Sequence, residues 1–66
     1  MSPTGGHNIR ADQLHPGMDL WLRSIEGWVD VNHVSKVDPW GCVTIYVLLD
    51  RLRFRMNGTA EVYVRP

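Results

Sequence analysis

Three arginines alternate with three apolar residues late in the chain, where residues 51–56 read Arg-Leu-Arg-Phe-Arg-Met. A period of two predicts a β-strand with Leu52, Phe54 and Met56 buried on one face and the arginines on the other. Guanidinium groups at strand spacing can hold phosphate or carboxylate groups. The same row also fits a well-solvated sheet face, so both interpretations stay open at this point.

Metal or nucleophile chemistry would need histidine and cysteine side chains that converge. His7, His15, His33 and Cys42 contain no pair at the short spacing of metal sites. Cys42 and His33 are expected on adjacent strands, but a nucleophile also needs an oxyanion hole, an orienting group and a cleft. A domain of 66 residues leaves little volume for such a cleft. We therefore predict no catalytic residue, no metal, no cofactor and no enzyme activity.

Aromatic residues supply a second set of candidate binding groups. By strand alternation, four of them fall on the face opposite the aliphatic core, and Trp40 stands at a predicted turn. Tryptophan, tyrosine and arginine are enriched at protein-binding hot spots, and aromatic rings beside basic groups also suit single-stranded nucleic acid. Packing of the rings on one another is the structural alternative. The candidate binding face comprises Trp21, Trp28, Trp40, Tyr46, Arg51, Arg53, Arg55, Tyr63 and Arg65.

Length and composition restrict the class of protein. Sixty-six residues with 44% hydrophobic content allow one small core and exclude a disordered chain. Cys42 is the only cysteine, so no intrachain disulfide forms and a reducing compartment is expected. The sequence shows neither a signal peptide nor an apolar run of roughly 20 residues, which a membrane span needs. We expect a soluble, cytoplasmic protein with no membrane partner.

The charges are balanced overall but unevenly distributed. The net charge is zero, which argues against a strongly electrostatic nucleic-acid binder. Residues 1–50 carry a net charge of −3, whereas residues 51–66 carry +3. This division predicts a polarised surface, or two parts of the fold that neutralise each other.

Glycine, serine and proline mark residues 1–8 as a flexible arm and leave residues 9–66 as the folded domain. A single helical turn is expected near residues 10–12. The first strands are predicted at residues 18–23, 28–37 and 43–49. The third is apolar on both faces, which is typical of a central strand or of one covered by a partner.

Within the second predicted strand the valines change parity. Val29 and Val31 keep one alternation, whereas Val34 and Val37 keep the opposite one. One extra residue in the strand has this effect, so we predict a β-bulge near residues 32–33. The following residues, 38–41, read Asp-Pro-Trp-Gly and predict a type I turn with Trp40 exposed at its tip.

The last two strands are predicted to form a hairpin. Burial of Val62 and Val64 favours a turn at residues 56–58 with Gly58 in the left-handed conformation. The alternative for residues 46–56 is an amphipathic helix with leucines on one side. In the hairpin, the pairs on the outer face would be Arg53 opposite Glu61 and Arg51 opposite Tyr63.

The chain resembles small SH3-like barrels, and its middle resembles the hairpin of KOW-type modules. Residues 11–20, which read Ala-Asp-Gln-Leu-His-Pro-Gly-Met-Asp-Leu, are similar to the "Leu-x-Pro-Gly-x-x" entry of many such barrels. Residues 28–31 and 41–45 are similar to the KOW hairpin, in which a glycine precedes the returning strand. The likeness covers roughly residues 9–65 and implies a fold rather than a ligand.

These observations lead to one expected architecture and two functions. We predict an all-β domain, either a five-stranded SH3-like barrel or a strongly bent antiparallel sheet. We predict a non-catalytic binding module that acts as a protein-interaction or regulatory subunit, or by self-association. The alternative is nucleic-acid binding through Arg51, Arg53, Arg55 and Arg65 with Trp40 and Tyr63.

Overall fold

The computed structural model describes residues 5–65. Within that range all strands pair antiparallel in one sheet of order β1-β6-β2-β3-β4-β5. The prediction of an all-β domain is confirmed, but there are six strands rather than five, and the sheet does not close into a barrel because β1 and β5 remain its edges. The elements are β1 (His7–Arg10), a 3₁₀ helix (Ala11–Gln13), β2 (Asp19–Leu22), β3 (Gly27–Val34), β4 (Cys42–Val47), β5 (Leu52–Asn57) and β6 (Glu61–Arg65).

Alternate positions of four strands build the core, as the period of two requires. Ala11 in the 3₁₀ helix and Leu14 directly after it are also buried in this core. Residues 5–65 contain no helix with the length and apolar character needed to cross a membrane. The buried residues are Ala11, Leu14, Leu20, Val29, Val31, Val43, Ile45, Val47, Val62 and Val64.

A bulge bends β3 where the parity of the valines predicted it. Val31 pairs with Val47 and His33 pairs with Tyr46, so Asn32 is the extra residue. The prediction of a bulge near residues 32–33 is therefore confirmed. Because a bulge reverses the alternation, His33 joins the outer face of the bent sheet, which Trp28 occupies before the bulge.

The strand β4 is central, as predicted, since it pairs with β3 on one side and β5 on the other. Residues 46–56 are not a helix, and that alternative is wrong. They form the end of β4, a turn and β5. The strand stops at Val47 rather than at Leu49 because residues 48–50 have positive φ angles, which a strand cannot contain.

The predicted hairpin of the last two strands is wrong. β5 pairs only with β4, whereas β6 pairs with β1 and β2, so Arg53 does not face Glu61 and Arg51 does not face Tyr63. Gly58 is not left-handed either. It is buried and donates its N–H to the Gly41 carbonyl at 2.8 Å, which extends the β4–β5 pairing, and the Ala60 N–H donates to the Asn57 carbonyl at 3.0 Å in the turn that follows.

The edge position of β5 also changes the burial of its apolar side. Phe54 and Met56 are only half-buried, and Leu52 is 41% exposed. The prediction that all three are buried therefore needs correction, because no strand covers them on the far side of β5.

The N-terminal strand lies beside the last one. His7 pairs with Val64 and Ile9 with Val62. His7 and Asn8, which the composition placed in a flexible arm, thus belong to the sheet, and residues 1–4 of that arm lie outside the described residues. The 3₁₀ helix confirms the helical turn expected near residues 10–12.

Candidate functional site

The predicted binding residues divide into three groups on the outer face of the sheet and its turns. One group surrounds Trp28 on β2, β3 and β6, a second follows β4 and β5, and a third lies at the turn after β3. The groups are Trp21, Trp28, Tyr63 and Arg65 (the aromatic cluster); Tyr46, Arg51 and Arg53; and Trp40 with Arg55.

Ring contacts join three strands in the aromatic cluster. Trp21 and Trp28 meet edge to face with centroids 5.4 Å apart, and Trp28 and Tyr63 stack at 5.9 Å. The guanidinium of Arg65 lies 4.3 Å above the Trp28 ring, and the backbone N–H of Gly6 donates to the Tyr63 hydroxyl at 3.2 Å. Such contacts stabilise the fold by more than the burial of apolar surface alone. The aromatic cluster therefore holds β2, β3 and β6 together.

Charges at the rim of the aromatic cluster are paired with one another. Arg65 Nε donates to Asp19 Oδ2 at 2.9 Å, and this hydrogen bond, with a second one from Asp30, lowers the pKa of Asp19. Asp30 lies directly opposite Asp19, and the shared hydrogen bond, followed by charge repulsion, raises the pKa of Asp30. Arg65 is therefore already occupied by an aromatic ring and a carboxylate, and the cluster is best understood as structural.

A shallow groove with basic walls crosses β3, β4 and β5. His33 and Tyr46 contact each other with ring centroids 5.5 Å apart, and Tyr46 lies opposite Arg53 in the β4–β5 ladder. The ring of Tyr46 thus forms a floor with a cation beside it. We call this surface the basic groove, lined by His33, Thr44, Tyr46, Asp50, Arg51, Arg53, Phe54 and Arg55, in which three arginines outnumber one carboxylate.

The three arginines of the row differ in what they bind. Arg55 holds Asp38 through two hydrogen bonds, of 2.8 Å and 3.1 Å, to the same carboxylate oxygen. Arg51 and Arg53 have no carboxylate within ion-pair distance among residues 5–65. Two exposed guanidinium groups in the basic groove are therefore available to an acidic ligand.

A turn with exposed leucines lies beside the basic groove. Leu48, Leu49 and Asp50 have φ angles of 53°, 56° and 64°, a left-handed run without glycine. The side-chain oxygen of Asn32 accepts hydrogen bonds from the N–H groups of Leu49 at 2.7 Å and Asp50 at 3.3 Å. Leu48 is 43% exposed and Leu49 is 81% exposed. We call residues 48–50 the leucine turn.

The leucine turn was not predicted from the sequence. Its residue types gave no turn signal, since glycine or asparagine usually occupies left-handed positions. The one available indication was indirect. An amide side chain at a bulge, here Asn32, has its hydrogen-bonding groups free to hold a neighbouring loop.

Trp40 lies at the tip of a turn, as predicted. The Gly41 N–H donates to the Asp38 carbonyl at 3.0 Å, and the Asp38 carboxylate accepts from the N–H groups of Trp40 and Cys42. The hydrogen bond from Cys42, followed by the ion pair with Arg55, lowers the pKa of Asp38. The Trp40 ring is 77% exposed and lies 5.7 Å from the Arg55 guanidinium.

Replacing Trp40 with alanine is expected to change the free energy of unfolding by no more than about 0.5 kcal/mol, because so exposed a ring buries little area. Urea denaturation measures this. Trp28→Ala removes the same side chain from a packed position and should cost several times more. A loss of about 2 kcal/mol or more for Trp40→Ala would make Trp40 a structural residue.

The histidines and the cysteine are not brought together. His33 lies opposite Tyr46, four residues along β4 from Cys42, which is roughly 13 Å of strand. The half-buried Cys42 has its sulfur 4.0 Å from the Trp40 carbonyl oxygen. Among residues 5–65, no three His, Cys, Asp or Glu side chains form a group that could hold a metal ion.

The basic groove and the leucine turn thus bring several exposed binding groups together on one surface. Their arrangement offers two cations, an aromatic floor and exposed apolar side chains within one region. Comparison of the chain with protein-family models, with curated proteins and with solved structures finds no match.

Proposed function

We propose that this protein is a non-catalytic binding module that holds an acidic protein partner on the basic groove and the leucine turn. The observation that carries the proposal is the pair Arg51 and Arg53, exposed beside the Tyr46 ring without a carboxylate partner among residues 5–65. Exposed cations next to an aromatic ring match the composition of protein-binding hot spots.

The leucine turn favours a protein partner over nucleic acid. Leu48 and Leu49 expose apolar surface next to the arginines, and the turn that displays them is held by Asn32. Apolar side chains gain most from burial against another apolar surface, which the phosphate backbone of a nucleic acid does not offer. The zero net charge of the chain also weakens long-range attraction to nucleic acid.

The resemblance to SH3-like barrels belongs to the same proposal. It is supported by four consecutive strands that pair in sequence, β2 to β5, by the bulge in β3 and by the return of β6 to the side of β2. A cytoplasmic location is also proposed, supported by the single cysteine. In the cytoplasm the protein would act as a small protein-interaction or regulatory subunit.

Single-stranded nucleic acid is the second candidate ligand. The Tyr46 ring beside Arg53 and the exposed Trp40 ring beside Arg55 provide stacking surfaces with adjacent cations. Such surfaces bind unpaired bases with little sequence preference. Duplex DNA is not expected to bind, because it offers no unstacked bases and the charge of this protein is balanced.

The test titrates ¹⁵N-labelled protein with a glutamate-rich peptide that also contains valine, and separately with oligothymidine of the same length. We expect the peptide to shift the amide resonances of His33, Tyr46 and Arg53. The double variant Arg51→Glu/Arg53→Glu should weaken peptide binding by at least about tenfold.

The control is Lys36→Glu, which reverses one exposed charge in the segment after β3, outside the basic groove. It should leave the peptide affinity within about twofold of the parent protein. Tighter binding of oligothymidine, lost between about 50 and 200 mM salt, would replace this proposal by the nucleic-acid alternative. Equal effects of the two variants would also contradict it.

A further inference from the structure

β5 is one of the two edge strands of the sheet and carries the arginine row. Of the residues described, 52–56 form no backbone hydrogen bond outside their ladder with β4. In an edge strand the N–H and C=O groups of alternate residues point outward, ready to pair with another strand. The strand contains no proline and, unlike β3, its ladder contains no bulge that would block such pairing.

A cleft with both apolar and polar walls lies between the free edge of β5 and the strands β2 and β6. Its apolar lining consists of Leu20, Leu22, Phe54, Met56 and Val62, and the polar residues Asn8, Arg23 and Glu61 also line it. Phe54 and Met56 are half-buried there. A strand added beside β5 would place every second side chain over this cleft, where apolar residues would be favoured.

The other side of the same strand carries the arginines. Arg53 and Arg55 alternate with the apolar residues on β5, and Arg51 precedes it. Side chains of an added strand that point to this outer side would lie next to the arginines. Opposite charges at such cross-strand positions are stabilising, so acidic residues would be favoured there.

A second copy of this chain does not fit the edge. In the symmetric antiparallel pairings of two β5 strands centred on Arg53, Phe54 or Arg55, which keep the apolar faces together, at least one arginine stands opposite an arginine. With Phe54 at the centre, for example, Arg53 would face Arg55 of the second copy. Like charges directly opposite are destabilising, so the row discourages self-pairing and selects a different, acidic occupant.

We infer that β5 accepts an extended segment of another protein as an additional strand, and that this segment alternates acidic with apolar residues. The inference rests on the proposed function and specifies its ligand and mode of binding. Backbone hydrogen bonds to the edge supply affinity, whereas the cleft and the arginine row select the two alternating sets of side chains.

The experiment uses an octapeptide of alternating glutamate and valine and two derivatives. One derivative is N-methylated on every glutamate and the other on every valine. The N–H groups of one set must face β5 and those of the other must point away. We expect one derivative to bind like the parent peptide and the other to bind at least about tenfold more weakly, since several hydrogen bonds are lost.

Amide hydrogen exchange gives the second measurement. The parent peptide should slow the exchange of alternate amides in residues 52–56. A peptide with the same composition but with its glutamates and valines in two separate blocks should bind more weakly by at least about fivefold, because it cannot present two different faces. Unchanged exchange in β5 on saturation with the parent peptide would overturn the inference.

The outcomes separate this inference from the proposed function. Peptide binding that is lost in Arg51→Glu/Arg53→Glu but unaffected by either methylated derivative would keep the proposed function and reject strand addition. Binding that is equal in the parent protein and in the charge-reversed variant would reject both. A stable dimer of the protein alone with protected β5 amides would also reject the inference, because the edge would then bind a second copy.

Discussion

Replacing Ile45 with alanine is expected to remove most of the stability of the fold. Ile45 is fully buried on the central strand β4, between Val34 on β3 and Phe54 on β5. Truncation of such a side chain costs about 2–5 kcal/mol. A domain of 66 residues has a total stability of about 3–10 kcal/mol, so Ile45→Ala leaves a small reserve or none.

Urea denaturation of three variants tests this. Phe54→Ala should cost less than Ile45→Ala, at about 1–3 kcal/mol, because Phe54 is half-exposed at the edge of the sheet. Leu52→Ala, in the same strand, should cost less than about 1 kcal/mol. If Phe54→Ala proved as damaging as Ile45→Ala, β5 would have to be covered on its free side.

Replacing Asn32 with alanine is expected to cost about 1–3 kcal/mol and to rearrange the leucine turn. The Asn32 side chain accepts both hydrogen bonds that hold Leu49 and Asp50, and its loss leaves two N–H groups without that acceptor. The left-handed backbone conformation of each residue in the turn costs about 1–2 kcal/mol. It therefore persists only while the hydrogen bonds to Asn32 are present. Faster hydrogen exchange of the Leu49 and Asp50 amides would show that these N–H groups have lost their hydrogen bonds.

Two further variants distinguish the hydrogen bonds from the backbone strain. Asn32→Asp keeps an acceptor oxygen at the same place and should retain the turn. Leu49→Gly should stabilise the protein by about 0.5–1 kcal/mol, because glycine adopts the left-handed conformation freely and the leucine side chain is 81% exposed. Destabilisation by Leu49→Gly would show that the side chain of Leu49 is packed.

The features that sequence reasoning predicted well are those with local causes. The change of parity between Val31 and Val34 located the bulge, and the residue types of 38–41 located the turn that exposes Trp40. Both depend on neighbouring residues only. The central position of β4 followed from its uncharged, two-sided apolar pattern, which an edge strand rarely has.

The features that it missed have distant causes. Asn57-Gly58 resembles a hairpin turn and the Ala60 N–H does donate to the Asn57 carbonyl at 3.0 Å, but the strand after this turn pairs with β1 and β2 instead of β5. Both partners of β6, the strands β1 and β2, are far away in the chain, and no local pattern reveals this pairing. β1 escaped prediction because four residues are too short a window for a period of two to show.

For the candidate site the same division applies. The candidate residues are exposed or half-buried on the outer face, as predicted, because alternation along a strand determines the face on which each side chain lies. Their grouping was not predictable, because the bulge at Asn32 and the pairing of β6 decide which of them become neighbours. Arg65, for example, lies on Trp28 rather than beside the other arginines.

The pairing of the first strand with the last has a consequence for how the chain acquires its structure. β2 to β5 form by successive neighbouring hairpins, whereas β6 must return to fit between β1 and β2. Long-range pairings of this kind slow folding, because the chain loses the entropy of loop closure before the stabilising contacts form. During synthesis, Leu20 and Ile9 stay uncovered until residues 61–65 leave the ribosome. The nascent protein therefore passes through a stage in which chaperone binding and proteolysis compete with completion of the sheet.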